Sequence, residues 1–362
     1  MMAHKVPATY FSAWRIPETK RSFFVFYKDE IQGRGKSKKY KNPNSITAEH
    51  LFFMEENFYY LDLEKLPGLI YKLEEEINCF FDSKNYNIKC VDDSCEKCEQ
   101  DECIVDIVDY DKYMKYRTII DTWDIRNESG VAISTEVFKQ ELAAFVFQKV
   151  GTIIEEEYFA KKLEPKWVEI REEIALKRNA GDNVVLSCLD DFLEFFVLQY
   201  IRVDDIIIDD IEPVVHYFSE MFKSIGFMGK DEDSTGLLDP DSYFYTALLD
   251  IAKGNIQRLN NKIQIIKTSY IIDILHSPPE VGYITSTSPC VVAEKKGNFK
   301  SVMVFPISPD YCIRFLGKSN CNGRNGQFFE QTIDEVKDVN QCVIRMSRNI
   351  VISESEYIAD RI

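Results

Sequence analysis

Aromatic and β-branched side chains crowd residues 21 to 29, Arg-Ser-Phe-Phe-Val-Phe-Tyr-Lys-Asp, and a second aromatic cluster runs from Phe52 to Leu61. With a Gly-rich turn after the first cluster, this predicts two or three N-terminal strands paired antiparallel. From Leu66 onward the period changes. Leu69, Ile70, Leu73, Ile77 and Phe80 recur at helical spacing, which predicts a helix from about Pro67 to Asp82. The polar stretch 83–107 interrupts the pattern and reads as an insertion. Helical periodicity then predicts Asp109–Asp121 and Ser134–Leu163, the second with Val137, Leu142, Phe145, Val146, Val150, Ile153 and Ile154 on one face. Further helices are expected at Trp167–Lys177, Asn183–Arg202, Glu212–Ile225 and Asp241–Leu259. Past Lys262 the runs become short and β-branched: Ile263–Ile266, Gly282–Ile284, Val291–Val292, Ser301–Phe305 and Cys312–Leu316, separated by Pro, Gly and Ser. A last helix, Glu330–Ser347, and a strand at Ile350–Ile352 close the chain.

Segregated β and α segments of this kind predict an α+β fold: a mainly helical core with N-terminal antiparallel strands and a C-terminal β segment. One domain is expected over 1–362, with an N-terminal β segment at 1–62, a helical region at 63–260 carrying the 83–107 insertion, and a β-plus-helix portion at 261–362. No repeat of 20 to 50 residues is visible.

Composition narrows the chemistry. The 362 residues, 45% hydrophobic with 25 Phe and 19 Tyr, can fill a sizeable core. No stretch approaches the roughly 18 consecutive apolar residues of a membrane span, and the opening residues lack an apolar leader, so a cytoplasmic, non-membrane protein is expected. A net charge of −16 repels nucleic acid at long range and argues against broad duplex binding. One basic loop stands apart, with Arg34, Lys36, Lys38, Lys39 and Lys41 around Gly33 and Gly35; it reads as a solvated hairpin tip, with phosphate binding as the minor alternative.

Ten cysteines without a leader fit a reducing compartment. Cys90, Cys95, Cys98 and Cys103 form a C-x4-C-x2-C-x4-C set that can meet one tetrahedral structural zinc; surface thiols and a redox pair are the alternatives. The other cysteines sit mostly on apolar runs and read as small core residues. Gly317-Lys318-Ser319 imitates the end of a phosphate loop, but Cys312 stands where the leading glycine belongs. Gly33-x-Gly35 lacks the third glycine of a dinucleotide fingerprint. Asp190, Asp191 and Glu194 cluster on one helix and read as a solvated acidic face. Gln199 and Arg202 lie three apart beside Phe192, Phe195, Phe196 and Ile201. A polar pair there is either a satisfied buried network or a ligand clamp, since Arg grips carboxylate or phosphate bidentately.

Taken together, several segments resemble a mostly bacterial family known as the domain of unknown function 4238. His4-Lys-Val-Pro7-Ala-Thr-Tyr10-Phe11-Ser-Ala-Trp14 is similar to its His-x-x-Pro-x-x-Tyr entry. The match continues in order through Asn57-Phe58-Tyr59, Leu73-Glu74-Glu75-Glu76 and the Phe192–Arg202 helix. It ends with Tyr283-Ile-Thr-Ser286-Thr-Ser-Pro289 and Phe305-Pro306-Ile-Ser308-Pro309-Asp310. This chain has Thr287 where the family tends to carry Asp, and its four-cysteine segment lies outside the family pattern. The resemblance brings no agreed reaction.

The matching polar residues sit in apolar or aromatic runs, where burial is costly unless they meet one another or a ligand. The N-terminal segment, the Gln199 helix and the Ser286 turn are therefore expected to converge. In a catalytic version Arg202 holds an anionic group, His4 moves a proton, Glu74 orients His4, Gln199 lines the site and Ser286 contacts substrate. The resulting expectation is an enzyme or toxin-like defence effector acting on a phosphate-bearing substrate, RNA or a nucleotide. The alternatives are a non-catalytic ligand- or protein-binding module and a purely structural polar network.

Overall fold

A computed structural model describes residues 2–4, 8–16, 22–33, 44–47, 54–56, 63, 70–91, 104–180, 189–202, 249–293, 302–317, 325–347 and 350–362. The chain forms two compact units: residues 57–156 with 238–253, and residues 2–56 with 157–237 and 254–362. The fold is α+β, with antiparallel strands near both ends and helices between them.

The second unit begins with β1 (Met2–His4), α1 (Ala8–Phe11), a 3-10 turn at Ser12–Trp14, β2 (Ser22–Tyr27), α2 (Lys28–Gly33), β3 (Asn44–Thr47) and β4 (Met54–Glu56). The expected antiparallel pairing is present: Phe23 faces Ile46 in the β2–β3 ladder, and β1 pairs with β4 so that His4 lies opposite Met54.

The first unit contains α3 (Glu74–Lys84), β5 (Asn87–Val91), β6 (Ile104–Asp106), α4 (Tyr110–Tyr116), β7 (Asp124–Arg126), β8 (Ala132–Ile133) and α5 (Thr135–Gly151). Its strands form one sheet in the order β6-β5-β7-β8. The ends of the 83–107 stretch are thus sheet rather than a polar excursion, with Ile88, Cys90 and Ile107 buried. An aromatic core explains why these short elements hold. Phe138 packs within 6.3 Å of Phe80, Phe81, Tyr86 and Trp123, mixing edge-on, tilted and stacked ring geometries. Helix starts are marked in the sequence: Asp109 accepts from Lys112 N and Ser134 from Val137 N, each satisfying an otherwise orphan donor. Residues 249–253 are fastened to the start of α3 by a Lys72–Asp250 ion pair and by Lys253, whose Nζ lies 2.8 Å from Glu76 Oε1.

A π-helical stretch, Thr152–Leu163, follows α5, and the second unit resumes with α6 (Glu164–Ala180), α7 (Leu189–Arg202) and α8 (Gln257–Ser269). Then come β9 (Tyr270–His276), β10 (Thr285–Ser286), β11 (Val291–Ala293), β12 (Val302–Pro306), β13 (Tyr311–Gly317), β14 (Asn325–Glu330), α9 (Ile333–Met346) and β15 (Ile350–Ser353). Ile263–Ile266 is helical, not a strand. Leu259, Ile263 and Ile266 are buried at i, i+4 and i+7, so a helical stripe explains the run better than alternation.

The strands make a four-stranded sheet, β10-β15-β2-β3, and a five-stranded sheet, β11-β12-β13-β9-β14, in which only β14 pairs in parallel. Both faces of the larger sheet are covered, so β9 and β12 read as continuous apolar runs. Register sorts the residues. Ile271, Leu275, Val302, Val304, Cys312 and Leu316 share one face and pack in a cluster with Val336 and Val343 of α9. Met303, Phe305, Ile313 and Phe315 share the other, where Phe305 and Phe315 meet Phe192 and Phe196 of α7. Helix α9 is opened by a full capping box between Thr332 and Glu335.

Candidate functional site

The second face of the larger sheet is where the N-terminal segment comes to rest. Tyr10, Phe11 and Trp14 are wholly buried. The Tyr10 ring lies 5.5 Å from Phe305, 5.7 Å from Trp167 on α6 and 6.4 Å from Phe195 on α7. Trp167 and Phe195 stack at 4.1 Å, an arrangement worth about 0.5–1.5 kcal/mol beyond their buried area.

Polar atoms are placed with equal specificity. Tyr10 Oη lies 2.5 Å from Pro306 O and 2.8 Å from Thr285 Oγ1. A carbonyl can only accept, so the phenol's one proton goes to Pro306 and the Thr285 hydroxyl donates to the phenol oxygen. Burial holds the Tyr10 phenol well above its ordinary pKa, and the thiol of Cys290 is pushed up by burial as well. Trp14 Nε1 donates to Tyr283 O at 2.9 Å.

The 282–286 segment is itself pinned. Asn340, fully buried on α9, accepts from Ile284 N at 3.0 Å and donates to Gly282 O at 2.9 Å and to Arg361 O at 2.7 Å. Gly282 is required by close approach, since a Cβ there would meet Glu354 Oε1 at 3.0 Å and Pro309 Cβ at 3.2 Å. Ser286, fully buried, donates to Ser288 O at 2.9 Å and accepts from Ser288 N at 3.1 Å, so its hydroxyl closes a local turn. Thr287 is partly exposed. The Tyr283 hydroxyl is buried with no hydrogen-bond partner among the described residues, and burial raises its pKa far above the ordinary phenol value.

The other sequence-derived candidates fall as follows. Gln199 is buried on α7, one helical turn beyond Phe195. Arg202 is the last residue of α7 and His4 the last of β1; the structure places their backbones. Glu74 is exposed in the first turn of α3 and belongs to the first unit; the inward carboxylate of that triplet is Glu76, 5% exposed and paired with Lys253. The acidic cluster on α7 is neutralised: Lys267 lies 2.6 Å from Asp190, Lys166 lies 2.7 Å from Asp191 and 3.3 Å from Glu194, and Tyr158 donates to Glu194 at 2.6 Å. Among the described residues no group of three or more His, Cys, Asp and Glu is arranged to hold a metal ion. Cys90 is buried on β5, whereas Cys95, Cys98 and Cys103, the basic loop at 34–41, the helix expected at Glu212–Ile225 and the first part of that expected at Asp241–Leu259 lie outside the described residues; the rest of the latter is helical to 252, turns at Lys253 and Gly254, and becomes helical again where α8 starts at Gln257.

Sequence reasoning did not single out Thr285, Asn340 or Arg171. Arg171 lies one helical turn past Trp167 on α6 and donates from Nη2 to Ser12 Oγ at 2.9 Å. Its only sequence signal is a cation at i+4 from a core tryptophan.

The architecture defines the class: an α+β protein whose N-terminal helical turn is buried against a helix-covered sheet. The family described as "Protein of unknown function (DUF4238)" matches residues 147–357, and the chain belongs to that family. No curated protein and no solved structure matches it. Among the described residues no helix is long and apolar enough to cross a membrane.

Proposed function

We propose that the protein binds a phosphate-bearing ligand, RNA or a nucleotide, where its N-terminal segment, the C-terminal end of α7 and the strand carrying Ser286 come together. The observation behind this reading is the placement of Tyr10: one side chain bonds Thr285 next to Ser286 and packs on Phe195 one turn before Gln199. Arg202 closes that helix and is chemically suited to a bidentate grip on phosphate, with Gln199 beside it. The Ser286 and Tyr10 hydroxyls both serve the protein's own backbone, which favours binding over turnover.

In the catalytic version, a toxin-like defence effector, His4 carries the proton and the site is drawn without Glu74, which lies in the other unit. Calorimetric titration of the full chain with nucleotides and short RNA tests the proposal. R202A is expected to weaken binding by about tenfold or more with unchanged thermal stability. A wild-type chain that binds neither probe at millimolar concentration overturns it.

We also propose a structural zinc held by Cys90, Cys95, Cys98 and Cys103. The β5–β6 ladder runs to Val91 opposite Ile104, so the cysteine-bearing stretch starts and ends on neighbouring strands, about 4.8 Å apart. Such a closed loop suits four thiolates around one tetrahedral ion.

A further inference from the structure

Among the described residues no carboxylate lies within ion-pair distance of Arg171. Its side chain is half-buried on α6, its Nε is buried with no hydrogen-bond acceptor among the described residues, and its one bonded partner is the neutral Ser12 hydroxyl. That hydroxyl is itself fixed, because Ser12 Oγ donates to Thr9 O at 2.6 Å and so presents a lone pair to the guanidinium. One turn earlier, the Thr9 hydroxyl is buried with no partner among the described residues. A second guanidinium, Arg15, stands near enough to depress the Arg171 pKa; burial is the larger cause, while the neighbouring Glu172 and Tyr10 act the other way. Neither arginine is ion-paired among the described residues, and Glu172 is exposed.

Arg15 ends the turn that starts with Ser12, the residue that Arg171 bonds, so two guanidiniums, one of them partly desolvated, act on each other while a buried donor goes unmet. Such an arrangement costs stability unless an anion completes it. We propose that Arg171 and Arg15, with Ser12 holding the Arg171 fork in place, form a binding site for a phosphate dianion. A phosphate group matches the two positive charges and the planar donor fork better than a single carboxylate does. The chain's net charge of −16 opposes any unspecific gathering of anions, so binding here must be local. The inference deepens the preceding proposal and rests on it only for the ligand's phosphate-bearing nature; the residues are different ones.

Inorganic phosphate is the probe, titrated into the full-length protein against potassium chloride of equal ionic strength, with thermal stability and calorimetry as readouts. Wild-type protein is expected to show a saturable rise in Tm with phosphate. R171Q and R15Q are each expected to weaken binding by about tenfold or more, S12A by less, and R126Q, an exposed arginine of the first unit, to leave it unchanged. Arg15 is exposed, so R15Q reports on the site even where R171Q fails to fold. No phosphate effect beyond that of chloride, or wild-type affinity in R15Q, overturns the inference. Nucleotide binding lost in R202A but kept in R171Q and R15Q removes this site and leaves the preceding proposal standing. Phosphate binding that depends on Arg171, in a protein that binds no nucleotide or RNA, does the reverse.

Discussion

The phenol of Tyr10 and the hydroxyl of Thr285, 275 residues apart in sequence, are hydrogen-bonded at 2.8 Å inside the second unit, and the same phenol donates to Pro306 O. One side chain thereby ties the N-terminal helical turn to β10, an edge strand of the four-stranded sheet, and to the end of β12 in the five-stranded sheet. Y10F keeps the ring packing but strands a buried carbonyl and a buried hydroxyl. It is expected to cost about 1–3 kcal/mol in denaturant-midpoint stability, whereas Y10A adds a cavity and costs about 3–5 kcal/mol. A Y10F variant as stable as the wild type would mean that the hydrogen bonds contribute nothing, and equal losses in the two variants that the ring packing does not.

Asp273 and Arg314 face each other on β9 and β13, with Arg314 Nη2 2.7 Å from an Asp273 oxygen that is almost entirely shielded from water. The Arg314 guanidinium also lies 5.5 Å from the Phe329 ring. Removing one partner leaves the other charge in a covered sheet face, so D273A is expected to lose about 3 kcal/mol or more. D273A/R314M, which removes both charges, is expected to recover part of that loss. A double variant no better than the sum of the singles would show that the pair is not coupled.

Much of the architecture was readable from periodicity: β2, α5 together with its π-helical continuation to Leu163, α9 and β15 begin and end close to where side-chain spacing and capping residues put them. Two misreadings fall beside the larger sheet. Tyr270–His276, the strand joining β13 to β14, carries an apolar run with Asp273 in its middle, and alternation cannot reveal a strand buried on both sides. Next to it Ile263–Ile266 looked β-branched yet folds as helix, tertiary packing overriding local preference. At the candidate site the segments were legible and the contacts were not. The aromatic residues Tyr10, Phe11 and Trp14 of the N-terminal segment do turn inward. Which polar atoms meet depends on pairings hundreds of residues apart, as with Tyr10 and Thr285, or Arg171 and Ser12, and no local spacing encodes them.

Zinc occupancy is decided by elemental analysis of protein purified without added metal. The expected result is about one zinc per chain, lost in C95S together with a drop in Tm, because a closed four-thiolate site contributes folding energy directly. C90A does not discriminate. Cys90 is buried on β5, so C90A lowers stability even in a protein without metal. The diagnostic variant is C95S, and a zinc-free wild type with unchanged C95S stability would leave the segment as a thiol-bearing loop.

The first unit offers a pH signature that is independent of any ligand. Tyr86 donates to Glu141 Oε2 at 2.5 Å, and Lys84 lies 2.6 Å from the same carboxylate oxygen. Burial first, and the neighbouring Glu141 charge second, raise the Tyr86 phenol to about 12, while the bonds from Lys84 and Tyr86 lower the Glu141 pKa. A phenol that holds its proton more tightly when folded leaves stability intact below its unfolded value near 10. Stability then falls as pH climbs from there through about 12, because the unfolded chain releases the proton first. Difference absorbance of the tyrosinate band is expected to show a late-titrating phenol that is missing in Y86F, apart from Tyr10, Tyr158 and Tyr283, which burial also raises, and E141Q is expected to move the Tyr86 phenol back toward the ordinary range by removing the adjacent charge. In the same variant the alkaline loss of stability becomes shallower, since the gap between folded and unfolded pKa narrows. An unchanged late titration in E141Q would assign the shift to burial alone.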